Sequence, residues 1–211
     1  MKTPGDVYIA GSRTAKDWNA FRAKLTLLGA DPALWHKAFD DYFYERLSLR
    51  YLEPIKVLQD NGTYQGEGFS IVAIQCTLIE FLESTFQEIS YRCRRKPDSP
   101  LGKYEYSDSS NMFVHFLTNR RPFSSAFDKK LGQEFYGNVR CGLLHEARTK
   151  GGWTIWAKGP PNMFISASRK IVYRDNFHQG LLQFIQWYQE VLPSDTLLQE
   201  AFIRKFDSLC V

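Results

Sequence analysis

Apolar positions along the chain repeat mostly at helical spacing, and one stretch does so beside chemistry of interest. Residues 135–153 read FYGNVRCGLLHEARTKGGW. At about 100° per residue, Phe135, Val139, Leu143 and Ala147 line one face, and Tyr136 and Leu144 widen it. The pattern stops at Gly151-Gly152. Upstream, Thr14 and Asp17 have the spacing of a capping box, opening a helix from Trp18 to Leu28 that Gly29 closes. Asp31-Pro32 opens the next helix, with Leu34, Trp35, Ala38, Phe39, Tyr42, Phe43, Leu47, Leu49 and Leu52 on its apolar side and a kink or end at Pro54. Residues 69–95 form the longest expected helix; its first half is apolar almost all round, which marks a central element. Next come a serine-capped helix through SSNMFVHFLTNRR and a helix over 124–149. WTIWAKG alternates as a strand does, and SASRKIVYRDN is a second strand that would pair with it as a hairpin. Two helices finish the chain, FHQGLLQFIQWYQEVL before Pro193 and DTLLQEAFIRKFDSL, with Asp195 as N-cap. The expected architecture is a mainly α, single-domain helical bundle with a small β-hairpin after the motif helix.

Composition narrows the class only slightly. The 211 residues are long enough to bury a core, and 44% hydrophobic with 24% charged residues describes an ordinary globular protein. A net charge of +4 permits contact with nucleic acid without requiring it. Cys76, Cys93, Cys141 and Cys210 are scattered and read as free thiols of a reducing compartment. The amino-terminal sequence lacks the apolar run of a signal peptide, and no stretch approaches the length of uninterrupted apolar residues that spans a membrane. A cytoplasmic protein with no membrane partner is the expectation.

At Arg140 and His145 the sequence sets an acid/base group close to a fixed cation. Arg140 lies at the margin of the apolar stripe, and His145 lies roughly 140° further round the helix. One helix cannot enclose a substrate between them; a second copy of the same face, brought by two-fold dimerisation, would complete a site. Glu80 sits between Ile79 and Phe81 in the apolar helix. Either it is buried and needs a cationic partner, for which Arg140 is the candidate, or it lies on a solvated edge. His115, among Phe113, Val114 and Phe116, reads as a satisfied core histidine, and His36 as a surface or half-buried one. Arg92, Arg94, Arg95 and Lys96 close the long helix, where cations favour a helix C-terminus as readily as they contact nucleic acid. The glycine-rich NGTYQGEG over 61–68 has neither the preceding strand nor the lysine of a phosphate loop and reads as a connector.

Arginine, four residues and histidine within VRCGLLHEARTKGGW, late in a helical bundle and after an apolar helix carrying an acid, resembles the signature of HEPN (higher eukaryotes and prokaryotes nucleotide-binding) domains. The resemblance spans residues 32–190, with the helices at 14–28 and 195–209 as additions, and its specific part is 135–155. It implies a metal-independent endoribonuclease with no cofactor, cleaving RNA through its own 2′-hydroxyl. Histidine titrates near the pH required for proton transfer, and a fixed guanidinium suits the charge growing on the phosphorane. The resemblance makes His145 the acid/base, Arg140 the phosphate clamp, Arg148 a secondary phosphate contact and Glu80 the orienting partner of Arg140. Cys141 is a departure, since catalytic families often carry a polar residue there. The implied partners are RNA, a second copy of the chain through the 135–148 helix, and an antitoxin protein if the role is that of a toxin or defence effector. A non-catalytic HEPN-like module that binds a nucleotide or protein is the alternative, and a purely structural dimerisation domain a further one.

Overall fold

The computed structural model describes residues 6–25, 31–63, 65–94 and 99–210. In chain order the elements are β1 (Tyr8–Ala10), β2 (Arg13–Thr14), α1 (Ala15–Arg22), α2 (32–60), α3 (Glu67–Phe86), β3 (Ser90–Tyr91), β4 (Glu105–Tyr106), α4 (Ser109–Asn119), α5 (129–146), β5 (Thr154–Trp156), β6 (Ile165–Ser166), β7 (Ile171–Tyr173), α6 (Arg174–Val191) and α7 (Thr196–Ser208). The protein is mainly α-helical with a few short strands.

Local chemistry accounts for most of the helix starts. Thr14 and Asp17 form the reciprocal capping box at α1, but the helix ends at Arg22; the Leu28–Gly29 stop expected from sequence lies outside the described residues. Asp31 accepts from the Ala33 amide with Pro32 at the first helical position. The start of α4 differs from expectation: Asp108, one residue before the serines, caps it by accepting from the Asn111 amide. Helix α2 runs past Pro54, which neither ends it nor begins a loop. Wide π-type turns occupy Phe39–Tyr44 and Ser48–Leu52. The second directly precedes Pro54, where a longer hydrogen-bond step eases the ring's clash with the preceding turn.

Contacts group the chain into two compact units. One comprises Met1–Glu53, Ser84–Ser107 and Trp187–Val211. Its core is aromatic: Trp18 packs edge-on to Tyr42 at 5.0 Å and lies 5.2 Å from Phe206, while Phe43 lies 5.2 Å from Tyr188. The buried Lys205 ammonium donates to Ser84 Oγ at 2.8 Å and to the Ile89 carbonyl at 3.1 Å. Helix α3 stops at Phe86, well before the expected residue 95, because Glu88 adopts a left-handed conformation (φ 58°) and the chain turns into β3. Arg92 therefore lies beyond a strand, paired to Glu105 at 2.7 Å; Arg95 and Lys96 lie outside the described residues.

The other unit comprises Pro54–Glu83 and Asp108–Gln186. Its core stacks Phe135 on Phe177 (5.7 Å, 3° between planes) and gathers Phe113, Phe116, Phe123, Phe164 and Trp153 around them. Helix α3 is long and apolar enough to cross a membrane by length and composition. Its residues Ile71, Val72, Leu78 and Ile79 are buried here, and its buried Gln75 donates to the Arg174 carbonyl at 2.8 Å, as befits a core helix. The two strands expected to form a hairpin do pair, but in parallel: Thr154, Ile155 and Trp156 of β5 face Ile171, Val172 and Tyr173 of β7. The antiparallel partner of β7 is the short β6, giving the order β5-β7-β6. The segment between β5 and β7 is long enough to loop back, so adjacency in sequence did not dictate hairpin geometry.

Candidate functional site

Helix α5 carries the motif, and its backbone decides where each motif side chain points. Asp128 caps it by accepting from the Leu131 amide at 2.7 Å. Tyr136–Arg140 then form a π-type turn, in which the Cys141 amide reaches back five residues to the Tyr136 carbonyl. The extra residue rotates the rest of the helix by about 100° relative to an uninterrupted one. Leu143 thus returns to the buried side with Phe135 and Val139, and His145 turns outward. Ala147 and Leu144, expected on the buried face, are exposed: Ala147 is already the left-handed cap (φ 54°) that ends the helix before the glycines. Gly151 has φ 58°, and a side chain there would collide with Asn138.

Arg140 and Glu80 come together. The guanidinium Nη2 lies 3.6 Å from Glu80 Oε2, and each side chain is less than one-fifth exposed (19% and 18%). Ser109 donates to the other carboxylate oxygen at 2.7 Å. The guanidinium carbon sits 5.1 Å from the centre of the Tyr136 ring, a cation–π approach. Burial raises the Tyr136 phenol above its ordinary value; Arg140 opposes this, and the Cys141 thiol adds to it. Cys141, half-buried, is thus part of the wall around the arginine. Nearby Cys76 is fully buried, with its thiol pushed up to about 12 by burial, so it is no nucleophile at neutral pH.

His145 and Arg148 lie elsewhere on the motif. His145 is exposed on the last helical turn, and among the described residues no hydrogen bond or ion pair holds it. Arg148 directs both Nε (3.1 Å) and Nη2 (3.0 Å) to Glu146, which also holds Lys150 at 2.5 Å. Lys150 and then Arg148 keep the Glu146 carboxyl below its usual range. Arg148 is therefore engaged with a neighbour rather than directed at the Arg140 pair.

A second cluster lies outside the sequence expectations. Glu83, one turn after Glu80 and completely buried, accepts from Arg120 through Nε (2.9 Å) and Nη2 (2.8 Å), and contacts His115 Nδ1 at 2.7 Å. The His115 side chain is 42% exposed, so it is not the enclosed core histidine its apolar neighbours suggested. A carboxylate on Nδ1 fixes the ring's orientation and tautomer, as oriented imidazoles require. The signal was present in the sequence: a carboxylate on an apolar helix needs a cation, and that holds for Glu83 as well as for Glu80. Among the described residues no three His, Cys, Asp or Glu side chains group as metal ligands.

Comparison with protein-family models, with curated proteins and with solved structures gives no match.

Proposed function

We propose that this chain is a HEPN-type endoribonuclease that cleaves RNA through the substrate's own 2′-hydroxyl without a metal ion. The observation that carries the reading is the half-buried Arg140 held by Glu80, on the same helix as an exposed His145. A guanidinium fixed by a carboxylate, itself held by a serine hydroxyl, is preorganised to receive a phosphate oxygen without first having to find its position. An imidazole on an exposed turn is accessible for proton transfer at the 2′-hydroxyl or the leaving 5′-oxygen. In this reading Arg140 is the clamp, His145 the acid/base and Glu80 the positioning residue; Arg148 is a peripheral phosphate contact. Because Arg140 is half-buried against Glu80 and His145 is exposed on the last turn, the site is completed by a second copy docking through the 135–148 helix. The exposed Leu144 beside His145 suits such a contact.

The test is cleavage of a mixed-sequence single-stranded RNA in excess EDTA. Wild type should release products with 2′,3′-cyclic phosphate and 5′-hydroxyl ends and leave DNA intact. Arg140→Ala and His145→Ala should each lose about 100-fold or more, the usual size of an acid/base or charge-stabilising contribution. A second reading, a non-catalytic nucleotide- or protein-binding module, is favoured by Cys141, which packs against Tyr136 where catalytic HEPN families often carry a polar residue. Wild-type protein that binds RNA and never cuts it would establish that alternative.

A further inference from the structure

In the unit that carries α5, a cleft of about 430 Å³ opens beside strand β5, just after the motif in sequence and lined by neither Arg140 nor His145. Two aromatic side chains on its walls stay largely in solvent: Trp156 is 47% exposed and Phe69 41%. The strand's alternation explains the first, since Trp153 and Ile155 turn inward while Thr154 and Trp156 turn out. Lys158 lines the same cleft, and the exposed Arg169 sets its guanidinium 4.9 Å from the centre of the Trp156 ring. At the base, Arg174 and Glu67 form a buried ion pair at 3.0 Å, with side chains 6% and 10% exposed. Gly68 keeps the base compact: a side chain there would press on Ile155 and on the Arg174 guanidinium, at 3.2 and 3.3 Å.

We infer that this cleft is a nucleotide-binding site, in which a base stacks on Trp156 and its phosphate meets Lys158 and Arg169. Three features point to that chemistry together. Aromatic surface left in water next to cations is what single-stranded nucleic-acid sites present, because every base has a π face and every linkage a negative charge. The cations Lys158, Arg169 and Arg174 outnumber the carboxylates Glu67 and Asp175, both of which Arg174 pairs, so Lys158 and Arg169 are left to attract an anion. The volume lies in the range of small-ligand sites and accommodates one nucleotide rather than a duplex. The Arg174–Glu67 pair adds donors and acceptors at the base of the cleft, where the edge of a base can be read. The ligand is thus a nucleotide, either free or as one residue of a single strand. The site does not depend on cleavage, but in a ribonuclease it would seat a nucleotide of the substrate away from the scissile bond.

Binding of a fluorescein-labelled, 2′-O-methyl single-stranded hexanucleotide to the full chain, followed by anisotropy, tests this. The 2′-O-methyl group blocks attack by the 2′-oxygen, so binding is read whether or not the protein is a nuclease. AMP and UMP are added as unlabelled competitors. Trp156→Ala and Lys158→Glu should each weaken binding about tenfold or more, Trp156→Phe should retain most of it, and Trp187→Ala, an exposed tryptophan of the other unit, should leave it unchanged. Competition by the mononucleotides identifies free nucleotide as a sufficient ligand; binding of the strand without such competition assigns the site to single strands. Wild-type affinity in Trp156→Ala, equal losses in Trp156→Ala and Trp187→Ala, or no binding of either ligand by wild type would each overturn the assignment. Failure of the ribonuclease reading shows separately, as absent cleavage of unmodified RNA.

Discussion

Two glutamates one turn apart on α3 each hold an arginine, and they behave differently. Glu80 is partly exposed and pairs with one guanidinium; Glu83 is sealed and takes two bonds from Arg120 and one contact from His115. Glu83→Ala would leave a guanidinium and an imidazole without the carboxylate that orients them. We expect a stability loss of about 3 kcal/mol, read as a lower urea midpoint at unchanged slope. Glu80→Gln acts on a pair in partial contact with water, and its effect should fall on chemistry rather than stability. RNA cleavage should drop by about tenfold while the urea midpoint stays close to wild type, because the amide no longer fixes the arginine's charge. Equal stability losses in the two variants would show that Glu80 is only a structural partner. The Arg140–Glu80 pairing was one of two readings open in the sequence, raised because an acid inside an apolar run demands an explanation. The surroundings of His115 were not, because three apolar neighbours in sequence say nothing about the side of the helix on which the ring emerges.

Helices were more legible than their interruptions. Caps at Thr14, Asp31 and Asp195 arise from side chains that accept from free amides, and they are where residue types place them. The π-type turns leave no such mark, since a period of 3.6 residues absorbs one extra residue without a visible break, and the phase of every residue after Arg140 shifts unseen. Gly137 lies within that turn, and a side chain there meets nothing within 4 Å. Gly137→Ala should therefore stabilise the protein by about 0.5–1 kcal/mol through the unfolded chain's lost freedom, a rise in thermal midpoint without change in cleavage. Helix α6 supplies a pH-dependent counterpart. His178 is buried, its Nδ1 lacks a hydrogen-bond partner among the described residues, and burial lowers its pKa from 6.5, with Asp175 opposing. Below pH 6.5 the unfolded chain takes up a proton that the folded one resists, so stability rises with pH up to that value and is lost as pH falls beneath it. Urea midpoints between about pH 5 and 7.5 should show that slope, and it should flatten in His178→Phe.

Whether one chain holds a complete site decides how the protein could work. Arg140 is drawn toward Glu80 and half-buried, whereas His145 stands exposed on the last turn of the same helix. In the proposed two-fold arrangement the two groups that meet one phosphate come from different copies. That arrangement makes a quantitative prediction from symmetry. Suppose Arg140→Ala and His145→Ala chains, each inactive, are mixed in equal amounts and allowed to exchange. About half the dimers are mixed, and in a composite two-fold arrangement each of these has one site with both residues native and one with neither. Activity should return to about a quarter of the wild-type level, rise with the square of protein concentration where dimers are dissociated, and disappear when the two chains are assayed without exchange. If the pair acted within one chain, no mixture of the two variants would recover anything, since every chain would lack one of its own two groups. A return near a quarter therefore speaks at once for the catalytic roles, for the dimer and for the helix through which it forms.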